Sequence, residues 1–239
     1  MKVTNCTWEK LNLDKKVAEI SFEVSDLIDK ELMRDLEKEY EYVVVKLKPC
    51  NYTQYKAIQD LGYSFAECQI TAKKQVILPP PSLLSVYKSI TCIPVREDDS
   101  LKILLDSMTE GMFITDRIYL DPVFGGEYSL RRYRNWIYQE YCRGSRLCHI
   151  IYQEQKIGFV LYRIDEGCMH VLLWGLFEPF QRQGLGVIVP LSTYWIWENI
   201  EKFISLETKV SSNNKGIISK LCQLGFNFSD MEYVFIKHN

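Results

Sequence analysis

Short apolar runs alternate with amphipathic segments along most of the chain, and this pattern predicts an α/β protein. In the first third, residues 43–47 have the β-branched, apolar character of a strand. Residues 52–61 have helical periodicity up to Gly62, and residues 63–73 again resemble a strand. The predicted order in this part is therefore strand, helix, strand.

The same pattern continues in the remainder of the chain. The predicted elements are helices at 100–107 and 128–141, a hairpin of strands 147–152 and 156–164 around Glu154-Gln155, a strand at 169–177, a long helix from Val187, a strand at 203–210, a helix at 215–224 and a last strand at 226–237. Hairpin, strand, helix, strand, helix and strand predict one sheet flanked by helices.

A proline run separates the two parts. A strand-like segment ends at Leu78, and Pro79-Pro80-Pro81-Ser82 follows, which neither a helix nor a central strand accommodates. We predict an amino-terminal α/β domain at residues 1–80, a linker at 81–90 and a larger domain at 91–239.

The two ends of the chain share a repeat. Asn51 precedes Leu61-Gly62-Tyr63-Ser64-Phe65 by the same interval at which Asn214 precedes Leu224-Gly225-Phe226-Asn227-Phe228. Asparagine caps a helix start, and glycine adopts the left-handed conformation at a helix end. We therefore predict that the smaller amino-terminal domain is a partial copy of the fold at the carboxy terminus, although any strand, helix, strand unit could converge on this pattern.

Composition narrows the class of protein. The 239 residues are 47% hydrophobic, with 29 basic and 31 acidic side chains, so we expect a globular protein that binds neither nucleic acid nor membrane. The start of the chain lacks the apolar core of a signal peptide, which favours the cytoplasm. The eight cysteines form no CxxC pair and the three histidines are scattered, so we predict no metal site and expect most thiols to be small core residues.

One segment carries a candidate binding site. The apolar stretch 170–177 leads into Gln181-Arg182-Gln183-Gly184-Leu185-Gly186, and a helix follows. A strand, a tight loop and a helix start direct free amides and the positive end of the helix dipole at one point, which suits phosphate. Gly184 and Gly186 let a ligand approach the backbone, and Arg182 adds a positive charge. The loop lacks the ending of a Walker motif and the third glycine of the dinucleotide fingerprint.

Residues 91–239, with this loop and the order of elements around it, resemble the GNAT superfamily of N-acetyltransferases. A narrower similarity, to dTDP-fucosamine acetyltransferases, rests on segments at 7–10, 57–65, 116–122, 133–137 and 232–235. The resemblance implies the GNAT fold, a mixed and mostly antiparallel sheet flanked by helices. It also implies acetyl-CoA or another short acyl-CoA as co-substrate, no metal, and transfer of the acyl group to an amine by direct attack.

The resemblance also implies roles for individual residues. The residues expected to hold CoA are Trp174, Gly175, Leu176, Phe177, Gln181, Arg182, Gln183, Gly184, Leu185, Gly186 and Asn214. The Leu176 backbone amide would stabilise the oxyanion. The tyrosine that usually protonates the leaving thiolate is replaced by Leu221, and Cys222 is a weak substitute because it points about 100° away around the helix.

Asp116, Arg117 and Tyr119 lie where the superfamily usually binds its acceptor, and Arg117 would suit the diphosphate of a nucleotide-linked amino sugar. Alternatively, Asp116 and Arg117 only brace a loop, and the cluster 131–134 is a solvated helix face. The acceptor could also be a peptide, polyamine or antibiotic amine, and the loss of the tyrosine leaves a CoA-binding module without catalysis as a third hypothesis. A homodimer also remains open.

Overall fold

A computed structural model describes residues 1–76 and 79–239, and in this part of the chain the strands form one sheet. The strands are β1 (Lys2–Asn5), β2 (Val17–Phe22), β3 (Tyr42–Leu47), β4 (Ser64–Gln75), β5 (Ile90–Pro94), β6 (Arg146–Tyr152), β7 (Gln155–Asp165), β8 (Cys168–Leu176), β9 (Ser205–Ser211) and β10 (Asn227–His238). Their order across the sheet is β1-β2-β3-β10-β4-β9-β8-β7-β6-β5. Two neighbouring pairs, β2 with β3 and β8 with β9, are parallel, and the other described pairs are antiparallel.

Helices cover both faces of this sheet. They are α1 (Glu9–Leu13), α2 (Lys30–Glu39), α3 (Tyr52–Asp60), α4 (Leu84–Tyr87), α5 (Asp98–Asp106), α6 (Arg117–Leu120), α7 (Gly125–Cys142), α8 (Ile188–Asn199) and α9 (Lys215–Gln223). The main core lies between α8, α9 and the central strands, and a second core lies between α5, α7 and strands β6 to β8. The mixed, mostly antiparallel sheet with flanking helices confirms the predicted fold class.

Strand β3 shows why the apolar run 43–47 forms a central strand. Val43, Val45 and Leu47 pack beneath α2 and α3, whereas Tyr42 and Val44 face the opposite side. A strand that is buried on both faces needs apolar side chains at successive positions, which explains the absence of alternation.

Strands from the two ends of the chain alternate at the centre of the sheet. β10 lies between β3 and β4, and β4 lies between β10 and β9. Reversing the strand order about the β10–β4 boundary matches β3 with β9 and the parallel neighbour β2 with β8. Asn51 and Asn214 both cap their helices, each accepting the amide three residues later. This strand order agrees with the predicted relation between the two ends, which stays a prediction.

Several predicted details differ in the structure. Four elements at the amino terminus, β1, α1, β2 and α2, were not predicted. The turn of the hairpin falls at Gln153 and Glu154, both with positive φ. The long helix begins at Ile188 after a 3-10 turn, Leu185–Val187. Leu78 lies outside the described residues, and the domain boundaries stay a prediction.

The cysteines do not behave as expected. All eight lie in the described residues, and among them Cys92 and Cys148 are buried, whereas three are exposed and three are half-buried. The prediction that most thiols are core residues is therefore wrong.

No helix within residues 1–76 and 79–239 is long and apolar enough to cross a bilayer.

Candidate functional site

The parallel strands β8 and β9 separate at the centre of the sheet. Their paired register runs from Cys168 with Ser205 to Val171 with Thr208 and stops there, although both strands continue. At the last pair, the Thr208 hydroxyl donates to the Val171 carbonyl over 3.1 Å. Beyond it the strands form an open wedge whose facing backbone groups can bind an extended ligand as an added strand.

A bulge in β8 determines which groups face this wedge. Leu161 pairs with Leu173 and Tyr162 with Val171, so Leu172 is the extra residue. The Phe177 amide donates to the Ile157 carbonyl on the β7 side, over 2.9 Å. Backbone groups alternate in direction along a strand, so those of Leu176 and Trp174 point away from β7 and towards the wedge. Among the predicted edge residues, Phe177 therefore has no free amide.

The glycine loop lies at the end of β8. Arg182 and Gly184 both have positive φ, 60° and 80°. A β-carbon at Gly184 or Gly186 would meet nothing within 4 Å. The amides of Gly184, Leu185 and Gly186 come at the start of the 3-10 turn that leads into α8, where the first amides have no partner inside the helix. The exposed loop is therefore suited to an anion.

Side-chain bonds anchor the loop to the wedge and to the segment before α6. Gln181 Nε2 donates to the Leu176 carbonyl over 3.1 Å and to the Met112 carbonyl over 3.4 Å. The Thr109 hydroxyl donates to Glu178 over 2.6 Å. Gln181 is thus held as a brace of the loop, with its amide group already engaged.

A cavity of about 420 Å³ opens beside the wedge. It brings together residues from both ends of the chain: Trp8, Glu67, Gln69, Phe113, Thr115, Asp116, Arg117, Arg132, Tyr133, Trp136, Leu172, Leu173, Trp174, Thr208, Lys209, Val210, Ser211, Asn214 and Ile217. Trp174, Asn214, Asp116 and Arg117 are residues that the sequence singled out. The wall contains five aromatic rings, so it favours a ligand with apolar surface.

Two buried ion pairs cross this cavity wall. Arg117 contacts Glu67 over 3.5 Å and Arg132 contacts Glu9 over 2.8 Å. Burial would lower the pKa of Arg117, but the nearby Tyr42, Glu67 and Asp116 outweigh it and raise that pKa, so the guanidinium stays charged. Each arginine is compensated by a carboxylate within the protein.

Helix α7 is consequently not a solvated face at residues 131–134, and that interpretation is wrong. Arg131 donates to the Asn12 carbonyl and to Asp14, and Arg134 donates to the Met108 carbonyl. The guanidinium of Arg132 also lies 5.0 Å from the ring centre of Trp8. These contacts fasten the amino-terminal segment to α7.

The remaining predicted acceptor residues brace their loop. Asp116 caps α6 by accepting the Ile118 amide over 3.1 Å, and it also accepts the Ser129 hydroxyl over 3.1 Å. The ring of Tyr119 lies against Gly126 and is not among the cavity-lining residues of the described chain. Asp116 therefore has a structural role, as in the bracing alternative, while it also lines the cavity.

Leu221, at the position of the usual tyrosine, and Cys222, the weak substitute donor, both lie away from the cavity. Leu221 is 0% exposed and belongs to the main core. Cys222 is exposed on α9. Within the described residues, the phenol that lines the cavity is Tyr133, whose ring stacks on Phe113 with 3.9 Å between centroids. Burial and the neighbouring Asp116 raise its pKa well above the usual range, so it stays protonated.

Sequence reasoning missed Trp8, Glu67 and Tyr133 as cavity residues. Trp8 and Glu67 precede the proline run, more than 100 residues before the glycine loop. Tyr133 carries a local signal, because it lies on a predicted helix directly after the loop assigned to the acceptor. The exchange of strands brings Glu67 next to β9, and no local pattern encodes that contact.

Comparison of the sequence with protein-family models and with curated proteins finds no match. Solved structures are similar. A conserved protein of unknown function from Staphylococcus epidermidis aligns over 97% of this chain and 88% of its own, at 12% identity and a TM-score of 0.63. A GCN5-related N-acetyltransferase from Sphaerobacter thermophilus aligns over 87% and 65%, at 12% identity and a TM-score of 0.58. One from Kribbella flavida aligns over 93% and 81%, at 11% identity and a TM-score of 0.55.

These structural alignments establish similarity of fold, and the sequence identities of 11–12% are too low to establish more. The chain therefore has the fold of the GCN5-related N-acetyltransferases, as the resemblance in the sequence predicted. The wedge between β8 and β9 and the glycine loop at its end lie within that fold. The narrower similarity to dTDP-fucosamine acetyltransferases stays a prediction.

Proposed function

We propose that this protein is an acyl-CoA-dependent N-acyltransferase that moves an acetyl or other short acyl group from CoA to an amine. The observation that supports the proposal most directly is the end of pairing between β8 and β9 after Val171 and Thr208, with the glycine loop at the end of the same strand. An open strand edge suits pantetheine and a loop of free amides suits pyrophosphate. One extended ligand, CoA, has both parts.

In this proposal different residues bind different parts of CoA. Gly184, Leu185 and Gly186 bind the pyrophosphate through their amides, and Arg182 adds charge. Trp174 and Leu176 present backbone groups to pantetheine, and the Leu176 amide faces the developing oxyanion of the thioester. Asn214 holds the start of α9 at the cavity by capping it.

The acceptor occupies the cavity beside the wedge. Glu67 is a buried carboxylate of the cavity wall: it is 3% exposed, and its Oε1 accepts a hydrogen bond from Gln69 Nε2 over 3.2 Å. We assign it to take the proton from the attacking amine. The aromatic wall favours a small amine with an apolar or aromatic part over a long peptide. The nucleotide-linked (dTDP) amino sugar implied by the resemblance is the narrower candidate. To bind it, the Arg117 guanidinium must leave Glu67 and contact the diphosphate instead.

Proton transfer to the leaving thiolate needs a donor other than Leu221. We assign it to Tyr133, because its side chain lines the same cavity as Trp174. Positioning of the amine against the thioester supplies much of the rate in such a direct transfer, so loss of a single acid slows the reaction without abolishing it.

A free-thiol assay tests the function. Acetyl-CoA is incubated with the full chain and a panel of amines: arylalkylamines, polyamines, peptides, and thymidine- and uridine-linked 4-amino sugars. We expect CoA release that depends on both enzyme and amine. Tight CoA binding with no thiol release for any amine would instead establish the CoA-binding module, a reading that the buried Leu221 at the usual tyrosine position favours.

The position of the cofactor is tested by Gly184→Glu. The new side chain adds negative charge beside the pyrophosphate and must adopt a φ of 80°, so CoA affinity should fall by about 100-fold or more. Gly144→Glu is a matched control, because Gly144 also has positive φ with open space around it and lies between α7 and β6. Equal CoA affinity for both variants, measured calorimetrically, would place the cofactor elsewhere.

A further inference from the structure

A second group of reactive side chains lies at the other end of the β8–β9 pair. Cys168 and His170 are two residues apart on β8 and therefore share a face of the sheet. His170 pairs directly with Glu207 on β9. One ligand atom from each of the three lies within 4.8 Å of the others, and His170 Nδ1 is 3.9 Å from Glu207 Oε1.

We propose that Cys168, His170 and Glu207 form a zinc site with three protein ligands and a water molecule in the fourth position. Thiolate, imidazole and carboxylate are the three side-chain types that zinc uses, and three of them with one open position make a four-coordinate site. Thiolate and carboxylate together neutralise the charge of the ion. On binding, the thiol proton of Cys168 is released to solvent.

Only small movements are needed to reach ligand geometry. Zn–S is about 2.3 Å and Zn–N or Zn–O about 2.0–2.2 Å, so tetrahedral ligand atoms lie roughly 3.3–3.7 Å apart. The observed limit of 4.8 Å thus requires a closure of about 1 Å, which side-chain rotation supplies. All three side chains are half-buried, whereas their neighbours Met169 and Val171 on the opposite face are in the main core. The backbone beneath the site is therefore fixed.

Lys73 orients the carboxylate of this group. It lies opposite Glu207 on β4, and its Nζ is 3.1 Å from Glu207 Oε2. The other oxygen, Oε1, is the one directed at His170. A partner that holds one oxygen while the second faces the ion is the arrangement that outer contacts of metal ligands commonly have.

The proposed site departs from the expectation of no metal, which rested on the absence of CxxC pairs and on scattered histidines. Cys168 and His170 are adjacent on one strand, but Glu207 is far along the chain and joins them only through the parallel pairing of β9. The group lies in the paired region before the wedge begins, so the proposal is independent of acyl transfer.

Metal binding is measured on the full chain without a histidine tag, stripped with a chelator and then freed of it. Zinc is titrated calorimetrically, and Co²⁺ serves as the spectroscopic probe. We expect one metal ion per chain, tetrahedral visible bands for Co²⁺ and a near-ultraviolet thiolate band. Cys168→Ser should remove the thiolate band, and His170→Asn and Glu207→Gln should each weaken zinc binding by on the order of 100-fold.

Cys222→Ser and His238→Asn are the matched controls, since each removes the same residue type away from β8. Both should bind zinc like the unmodified chain, and circular dichroism should show the same fold for all variants. Failure of the stripped chain to bind zinc more tightly than the Cys168→Ser variant would overturn the proposal. So would a thiolate band that persists in that variant but is lost in Cys222→Ser.

Discussion

At the scale of single residues, the proton donor that we propose, Tyr133, does not lie at the position of the usual tyrosine, which Leu221 occupies. Leu221 is buried beneath the sheet, and the phenol of Tyr133 lines the cavity instead. If Tyr133 protonates the leaving thiolate, Tyr133→Phe should lower kcat by about 100-fold or more while leaving the affinity for CoA unchanged. Steady-state kinetics with the best amine of the panel measure this.

Tyr138→Phe is the control for that variant, because Tyr138 lies on the same helix and is 54% exposed. Its kcat should equal that of the unmodified chain. A Tyr133→Phe enzyme with unchanged kcat would show that the thiolate leaves without help from this phenol.

The buried side chain of His149 makes the free energy of unfolding depend on pH in mild acid. It is 2% exposed on β6, and burial together with the charge of Lys156 lowers its pKa from 6.5 to about 4. Between these values the unfolded chain binds a proton that the folded chain excludes, so the free energy of unfolding falls as the pH drops from 6.5 to 4. The loss attributable to this residue is up to about 3 kcal/mol.

Urea unfolding of His149→Phe across this range measures that contribution. The variant keeps a buried ring but cannot take up the proton, so its stability should vary less with pH than that of the unmodified chain. Parallel curves for the two proteins would mean that other groups cause the acid sensitivity.

At the scale of elements, the approach of β7 to β8 depends on Gly158. A β-carbon there would lie 2.1 Å from the Gly175 carbonyl oxygen, on the strand that forms the wedge. Gly158→Ala must shift one of the two strands, so we expect a loss of about 1–3 kcal/mol and weaker CoA binding. Thermal unfolding measures this loss. Gly186→Ala is the control, because a β-carbon there meets nothing within 4 Å, and it should unfold at the same temperature as the unmodified chain.

Local pattern predicted those elements whose own residues determine them. The runs at 43–47 and 170–177 are mostly apolar, and Asn214 and Gly225 mark both ends of α9, so these elements were predicted to within a few residues. β1 has four exposed residues and α1 only five residues in all, too little for periodicity to reveal. The cavity wall was harder still, because Glu9 and Arg132 meet only in the folded chain.

At the scale of the whole molecule, the two parallel strand pairs, β2 with β3 and β8 with β9, differ at the places where a cofactor would bind. β8 and β9 separate after Thr208, but β2 and β3 stay paired along their full described length, from Val17 with Tyr42 to Phe22 with Leu47. A glycine loop follows β8. After β2 comes α2, whose first amides are bound by the carboxylate of Asp29. A negative side chain at that helix start excludes phosphate.

The difference predicts one CoA per chain despite two parallel strand pairs. The segment before the proline run instead contributes Trp8 and Glu67 to the cavity beside the wedge. Calorimetric titration should therefore give a stoichiometry of one, and Gly184→Glu should remove that binding without revealing a second event. Two equivalents of CoA bound to the unmodified chain would mean that the closed β2–β3 pair opens to accept a cofactor of its own.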